Sequence, residues 1–118
     1  MTNLDEINEF SIELDGKERN VRYLVFLLED AEGKTKRIMW NDNLSASYHR
    51  DLLPGLQKMT GELKVTCEGG GTLSVGYRGA MMLWDYSMDF GEDDKLKTIE
   101  ILRRRFPEAE VEIHVPPH

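Results

Sequence analysis

The sequence has little of what disulfide frameworks and most metal centres require. Its only cysteine is Cys67, so the chain forms no internal disulfide and offers no cysteine-based metal site. Its three histidines are scattered and match no zinc-binding spacing. From these counts we expect a protein of the reducing cytosol, hence a cytoplasmic location, that works with neither a bound metal nor a cofactor.

Basic charge and long apolar runs are also scarce. The chain has 15 Lys and Arg residues against 22 Asp and Glu residues, a formal net charge of -7. Non-specific binding to nucleic acid or to anionic membranes requires a basic surface, so this balance argues against both partners. No apolar run approaches the length of a membrane-spanning helix, and the polar start of the chain predicts no signal peptide.

The composition that remains is typical of a globular domain. The 118 residues are enough to bury a core, with 40% hydrophobic and 31% charged residues. We therefore expect residues 1–118 to form a single domain and, by default, a monomer.

Apolar alternation and turn residues predict seven strands. They are expected at 9–14, 21–29, 35–40, 63–67, 72–77, 80–86 and 111–115. A turn at Asp15 and Gly16 joins the first two, and the run after Arg22 is apolar enough for a central strand buried on both faces. The glycines at 69–71 are interpreted as a tight turn between two strands.

Two helices are predicted between these strands. Ser45 or Ser47 can cap the first, which runs to Thr60 and should kink or break at Pro54-Gly55. The second, over 93–105, ends before a proline and presents one apolar face, formed by Leu96, Ile99, Leu102 and Phe106.

The order of these elements indicates the fold class. Strand, strand, helix, strand occurs at 21–67 and again at 72–115, without residue-level identity between the halves. We expect an α+β fold, a mixed sheet flanked by two main helices with this approximate repetition. Such sheets bind ligands near the loops that join strand ends to helix starts, which are 41–48 and 87–92 here.

Each of these loops contains a candidate site. Tyr48-His49 lies where a helix should begin, and a helix start offers unpaired N–H groups and a positive dipole end to an anion. An imidazole titrates near neutrality, as a general base should. The alternative is a solvated surface histidine. In the other loop, the Ser87 hydroxyl and the backbone N–H groups through Asp89 could hold phosphate oxygens, with a plain connection as the alternative.

Taken in order, these segments resemble the Janus (Janus/ocnus) family of protein phosphohistidine phosphatases. The resemblance runs from about Val21 to His114. It is found in Arg22-Tyr23, Lys36 to Trp40, Tyr48-His49 with Asp51, Cys67 to Gly71, Tyr86-Ser87-Met88 with Gly91, and Arg105 to Val111.

The resemblance implies an activity and a set of site residues. It implies that His49 is the essential base of a metal-free phosphohistidine phosphatase whose substrate is a phosphohistidine-containing protein. The phosphoryl group would be bound by Arg22, which stands in place of a lysine, and by the loop formed by Ser87, Met88 and Asp89. The backbone around Tyr48, His49 and Arg50 would also face it.

Two departures from the family pattern keep an alternative open. Thr72 replaces an arginine and Asp89 replaces an alanine, which puts a carboxylate near the expected dianion unless Asp89 turns away or pairs with Arg22 or Arg50. The alternative is a non-catalytic family member that binds phosphate, phosphopeptides or another partner. The sequence also leaves open whether His49 itself accepts the phosphoryl group, and whether phosphohistidine or phospholysine is preferred.

Overall fold

The computed structural model describes residues 3–114, apart from the side chain of Tyr77, and one mixed sheet contains all their strands. The strands are β1 (Phe10–Ile12), β2 (Arg19–Glu29), β3 (Thr35–Asn41), β4 (Lys64–Val75), β5 (Met81–Trp84) and β6 (Val111–Ile113). Their order across the sheet is β1-β3-β2-β4-β5-β6. The inner pairs are antiparallel, whereas β1 and β6 run parallel to their neighbours. The predicted α+β fold is confirmed.

Within the described residues, two α-helices flank this sheet, α1 (Leu56–Thr60) and α2 (Lys95–Arg105). Successive side chains of β2 point to opposite faces, and both faces are buried. One face, which includes Val21 and Val25, packs with Ile99 and Leu102 of α2. The other face packs with Leu52 and Leu56, along with further apolar residues. The prediction that β2 is central and buried on both faces is therefore confirmed.

The sequence misplaced the connection of β1 to β2. The turn at Asp15 and Gly16 forms no hairpin, because β1 pairs with β3 and not with β2. The predicted last strand, 111–115, extends to Val115, which lies outside the described residues.

No helix in the described chain is both long and apolar enough to cross a membrane.

The prediction of a tight turn at 69–71 is wrong, because β4 runs through these glycines as one strand. Leu24 of β2 pairs with Gly70, and Phe26 pairs with Cys67. Between these two pairs β4 contains one residue more than β2, which forms a β-bulge. Gly69 takes the positive φ of +106°. A Cβ on Gly70 would lie 2.3 Å from the carbonyl oxygen of Tyr23. The glycines allow a bulge and a close approach, not a turn.

The first predicted helix is broken in two, as Pro54-Gly55 indicated. Its first piece is a 3₁₀ turn, His49–Leu52, which we call the His49 turn, and its second is α1. Neither Ser45 nor Ser47 caps it; Tyr48 precedes the turn and makes no side-chain cap. Four residues cannot align enough peptide dipoles to form a helix-end anion site, so the dipole argument for His49 does not hold.

The second predicted helix is confirmed, but one residue of its apolar face is not. Asp94 caps α2 by accepting a hydrogen bond from the backbone N–H of Leu96 at 3.0 Å. Leu96 itself is 73% exposed, whereas Ile101 is buried. The buried stripe is therefore turned away from Leu96.

Candidate functional site

His49 is buried against the sheet, with only 4% of its surface exposed. Its Nε2 lies 2.8 Å from the carbonyl oxygen of Gly71. A carbonyl oxygen only accepts hydrogen bonds, so Nε2 carries the proton of the neutral ring. Nδ1 is then left with a free lone pair, and it has no hydrogen-bond partner within residues 3–114. The alternative of a solvated surface histidine is therefore wrong.

The turn that presents His49 is anchored to the sheet at its far end. Leu52 is fully buried in the core. The indole Nε1 of Trp40, on β3, donates to the carbonyl oxygen of Leu52 at 2.6 Å. The N–H of Asp51 donates to the carbonyl oxygen of Tyr48 at 3.1 Å, which closes the turn. A buried side chain and a buried hydrogen bond thus fix the backbone that holds His49.

The imidazole lies over bare strand backbone. A Cβ on Gly70 would lie 3.2 Å from Cδ2 of His49, tighter than an ordinary contact. Gly70 therefore leaves the space that the ring occupies, and Gly71 provides the acceptor. The sequence signal was the glycine run itself, which we interpreted as a turn.

Arg22 lies on the same face of the sheet as His49. It pairs with Thr72 of β4, two positions from the pair that joins Leu24 to Gly70, so the alternation of strand side chains points it to the His49 face. The side chain is half-buried. Its guanidinium forms no hydrogen bond or ion pair within residues 3–114. It is therefore available to bind an anion on this face.

Residues Ser87–Gly91 form a tight loop, which we call the Ser87 loop. The N–H of Ser87 donates to the carbonyl oxygen of Gly91 at 3.1 Å, and the reverse bond is 2.8 Å long. Ser87 is buried, and its Oγ accepts from the N–H of Phe90 at 3.1 Å. The N–H groups of Met88 and Asp89 have no acceptor within the described chain. The tip of the loop therefore presents free donors, as an anion site requires.

The glycine run joins the Ser87 loop to His49. The N–H of Gly70 donates to the carbonyl oxygen of Gly91 at 3.0 Å, and the next residue, Gly71, holds the imidazole. Two adjacent residues of β4 thus contact both predicted elements of the site. The sequence identified both elements but not the strand that connects them.

The remaining candidates are exposed side chains of the His49 turn and of the Ser87 loop. Tyr48 is 55% exposed, and the guanidinium of Arg50 stacks 4.5 Å from the centroid of its ring. The N–H groups of His49 and Arg50 have no acceptor within residues 3–114. Met88 is almost fully exposed. These groups leave backbone donors beside the imidazole.

The two residues that depart from the family pattern supply no cation. Asp89 is exposed, and no described basic group forms an ion pair with it, so a pairing with Arg22 or Arg50 that would offset its charge is not formed. Thr72 is buried, and its Oγ1 donates to Oδ2 of Asp85 at 3.4 Å. Asp89 is therefore an uncompensated negative charge on the Ser87 loop.

Sequence reasoning missed a buried polar cluster on the other face of the sheet. It consists of Tyr23, Asp93, Lys95 and Thr98. Burial, and then the neighbouring carboxylate of Asp93, raises the pKa of Tyr23 far above its usual range. Two sequence signals pointed to this cluster. Lys95 lies in the first turn of α2, where a cation opposes the helix dipole and so needs another reason to be there. Tyr23 lies in a buried strand, where its hydroxyl requires a hydrogen-bond partner.

Other features of the surface lie apart from this centre. Residues 3–114 contain no group of three or more His, Cys, Asp or Glu side chains placed to hold a metal ion. A large groove between β1 and the end of α2 is lined by none of the candidate residues. Burial raises the pKa of the Cys67 thiol.

Comparison with known proteins places the chain in a family. The sequence model described as the Janus/Ocnus family (Ocnus) matches residues 4–110, which include every candidate residue above. A search of curated proteins finds no match to this chain.

Proposed function

The chain belongs to the Janus/Ocnus family, and from that premise we propose that it is a protein phosphohistidine phosphatase with His49 as its general base. The observation that supports the proposal most strongly is the bond from Nε2 of His49 to the carbonyl oxygen of Gly71. It leaves Nδ1 unprotonated on the face of the sheet that also holds Arg22. The protein substrate, the monomeric state and the cytoplasmic location belong to the same proposal.

The reaction needs one proton acceptor and a place for negative charge. Nδ1 of His49 takes a proton from water as the water oxygen attacks phosphorus. The P–N bond breaks, its electron pair stays on the substrate nitrogen, and that nitrogen takes up the proton that Nδ1 of His49 removed from water. The products are inorganic phosphate and the unmodified histidine side chain of the protein substrate. A protonated imidazole nitrogen is a good leaving group, so the step does not require a metal.

Charge on the transferring phosphoryl oxygens is stabilised by donors of β2, of the His49 turn and of the Ser87 loop. They are the guanidinium of Arg22, the hydroxyl of Ser87, and the backbone N–H groups of Met88, Asp89, His49 and Arg50. Donors fixed in place before the reaction stabilise developing charge without reorganisation. None of these donors has an acceptor within residues 3–114; the Ser87 oxygen accepts one hydrogen bond, from the N–H of Phe90, and its hydroxyl proton is still free to donate.

A second candidate is a family member that binds phosphorylated partners without turning them over. The exposed, unpaired carboxylate of Asp89 favours it, because like charges repel at short range. The buried Thr72 favours it too, because it supplies no positive charge to the site.

One experiment separates the two candidates. Inorganic phosphate is titrated into ¹⁵N-labelled protein while hydrolysis of a phosphohistidine peptide is measured in parallel. Amide shifts at 48–50 and 87–89 together with turnover support the phosphatase. The same shifts without turnover support the binding protein, and no shifts at either segment contradict both.

A further inference from the structure

Lys95 is buried at the start of α2 and donates to residues on both sides of the Ser87 loop, Asp85 before it and Asp93 after it. Its Nζ lies 2.8 Å from Oδ1 of Asp93 and 2.7 Å from the carbonyl oxygen of Asp85. A carboxylate oxygen of Glu92 lies 3.5 Å away. Only 7% of the Lys95 side chain is exposed, and none of the Asp93 side chain. The ammonium group is fully engaged inside the protein.

Asp93 is equally saturated. Its Oδ2 accepts from the hydroxyl of Tyr23 at 2.9 Å and from Oγ1 of Thr98. Tyr23 belongs to the central strand β2, and Thr98 to α2. The ion pair of Asp93 and Lys95 therefore joins the sheet, the helix and the segment between them.

This ion pair holds together the two ends of the segment that contains the Ser87 loop. Asp85 immediately precedes residues 86–92, and Asp93 immediately follows them. Asp85 follows the last residue of β5 and has a φ of +70°, a left-handed conformation that is strained for a residue with a Cβ. The bond from Lys95 holds the chain at the point where it leaves the sheet.

The same cluster lies directly against the residue that holds His49. A Cβ on Gly71 would lie 2.9 Å from the hydroxyl of Tyr23 and 3.1 Å from Nζ of Lys95. The carbonyl oxygen of Gly71 accepts from Nε2 of His49. One buried cluster therefore contacts both the acceptor of the imidazole and the ends of the Ser87 loop.

We propose that Asp93 and Lys95, with Tyr23, are positioning residues that fix the Ser87 loop relative to the carbonyl of Gly71 and thereby to His49. Their catalytic consequence rests on the proposed phosphatase function. A buried ion pair contributes little net stability, because apolar side chains of similar size often replace it without loss. Its value lies in geometry: catalytic groups must be held closely to act together.

The test replaces the pair by apolar side chains of similar size, in the double variant Lys95→Met/Asp93→Leu. We expect it to fold, and its turnover of a phosphohistidine peptide to fall by roughly 100-fold. Arg104→Met is the matched control, since it removes a cation bonded to Glu9 near the other end of α2. We expect its turnover to equal that of the wild type.

Two readouts taken without substrate separate this proposal from the proposed function. They are hydrogen exchange at the N–H of Gly91, which donates to Ser87, and the ¹⁵N shifts of the His49 ring. We expect faster exchange and shifted ring signals in the double variant and neither change in Arg104→Met. A wild type that exchanges normally but has no turnover would contradict the phosphatase proposal alone.

Tyr23→Phe keeps the test decisive if the double variant does not fold. It deletes a single hydroxyl that donates to Asp93. We expect smaller changes in hydrogen exchange and in the His49 ring shifts than in the double variant, and a turnover lowered by about threefold or more. A folded variant of either kind with wild-type exchange, ring shifts and turnover overturns the positioning role.

Discussion

The Nε2 atom of His49 lies 2.8 Å from the carbonyl oxygen of Gly71. This pair decides which imidazole nitrogen is available, because a carbonyl oxygen only accepts hydrogen bonds and Nε2 must therefore be the donor. It also ties the candidate base to a strand that contacts the Ser87 loop through Gly70. The acceptor is backbone and cannot be removed by mutation, so its role is tested through its surroundings.

The absence of a side chain at Gly71 should stabilise the fold. An alanine Cβ there would lie 2.6 Å from the carbonyl oxygen of Trp84. We expect Gly71→Ala to lower the free energy of unfolding by about 1–3 kcal/mol, because strand backbone must shift. Gly76→Ala is the control, since its nearest contact is an ordinary 3.5 Å. Urea denaturation measures both, and equal midpoints would contradict the close approach.

Arg22 should supply positive charge to a bound phosphate. We expect Arg22→Met to weaken inorganic phosphate binding by about tenfold, since a hydrogen bond from a charged donor is lost. Arg22→Lys keeps the charge and should retain most of the affinity. Calorimetric titration at fixed salt checks both. An unchanged affinity in Arg22→Met would place the anion elsewhere.

Asp89 should oppose the anion that the Ser87 loop binds. Removing its charge in Asp89→Ala should tighten phosphate binding by roughly twofold to fivefold at low salt, and by less at high salt because ions screen exposed charges. Asp89→Glu serves as the charge-retaining control. Weaker binding in Asp89→Ala would show that the side chain assists the site.

The thiol of Cys67 should be a poor nucleophile. Burial is the largest influence on it and raises its pKa, while a backbone hydrogen bond from Gly69 lowers it in part. At pH 8 the thiolate fraction should therefore be smaller in the folded chain than in the unfolded one. We expect iodoacetamide to alkylate the native protein more slowly than the protein unfolded in urea. The alkylation rate of the native protein should also continue to rise up to a higher pH. Faster alkylation of the native protein would contradict this environment.

The sequence was informative where local chemistry and tertiary structure agree. The apolar run of β2 predicted a central strand, because both faces of that strand are buried. Pro54-Gly55 predicted the break between the His49 turn and α1, because proline cannot continue a helix.

The sequence misled where one residue type serves two purposes. Glycines at 69–71 are typical of a turn, yet here they permit a bulge and contacts with backbone and imidazole. Ser45 looked like a helix cap, but the anchors of the His49 turn are Trp40 and Leu52. Such long-range contacts have no local signature. The same holds for the bond between His49 and Gly71, which only the folded chain brings together.

The most direct test of the account is hydrolysis of a phosphohistidine peptide by the wild type and by His49→Ala. Because the variant lacks the proposed base, we expect its turnover to fall by roughly 100-fold to 10,000-fold. The phosphate-induced amide shifts at the Ser87 loop should remain in the variant, since its donors are still present. Equal turnover by the two proteins would contradict the assignment of His49 as the base.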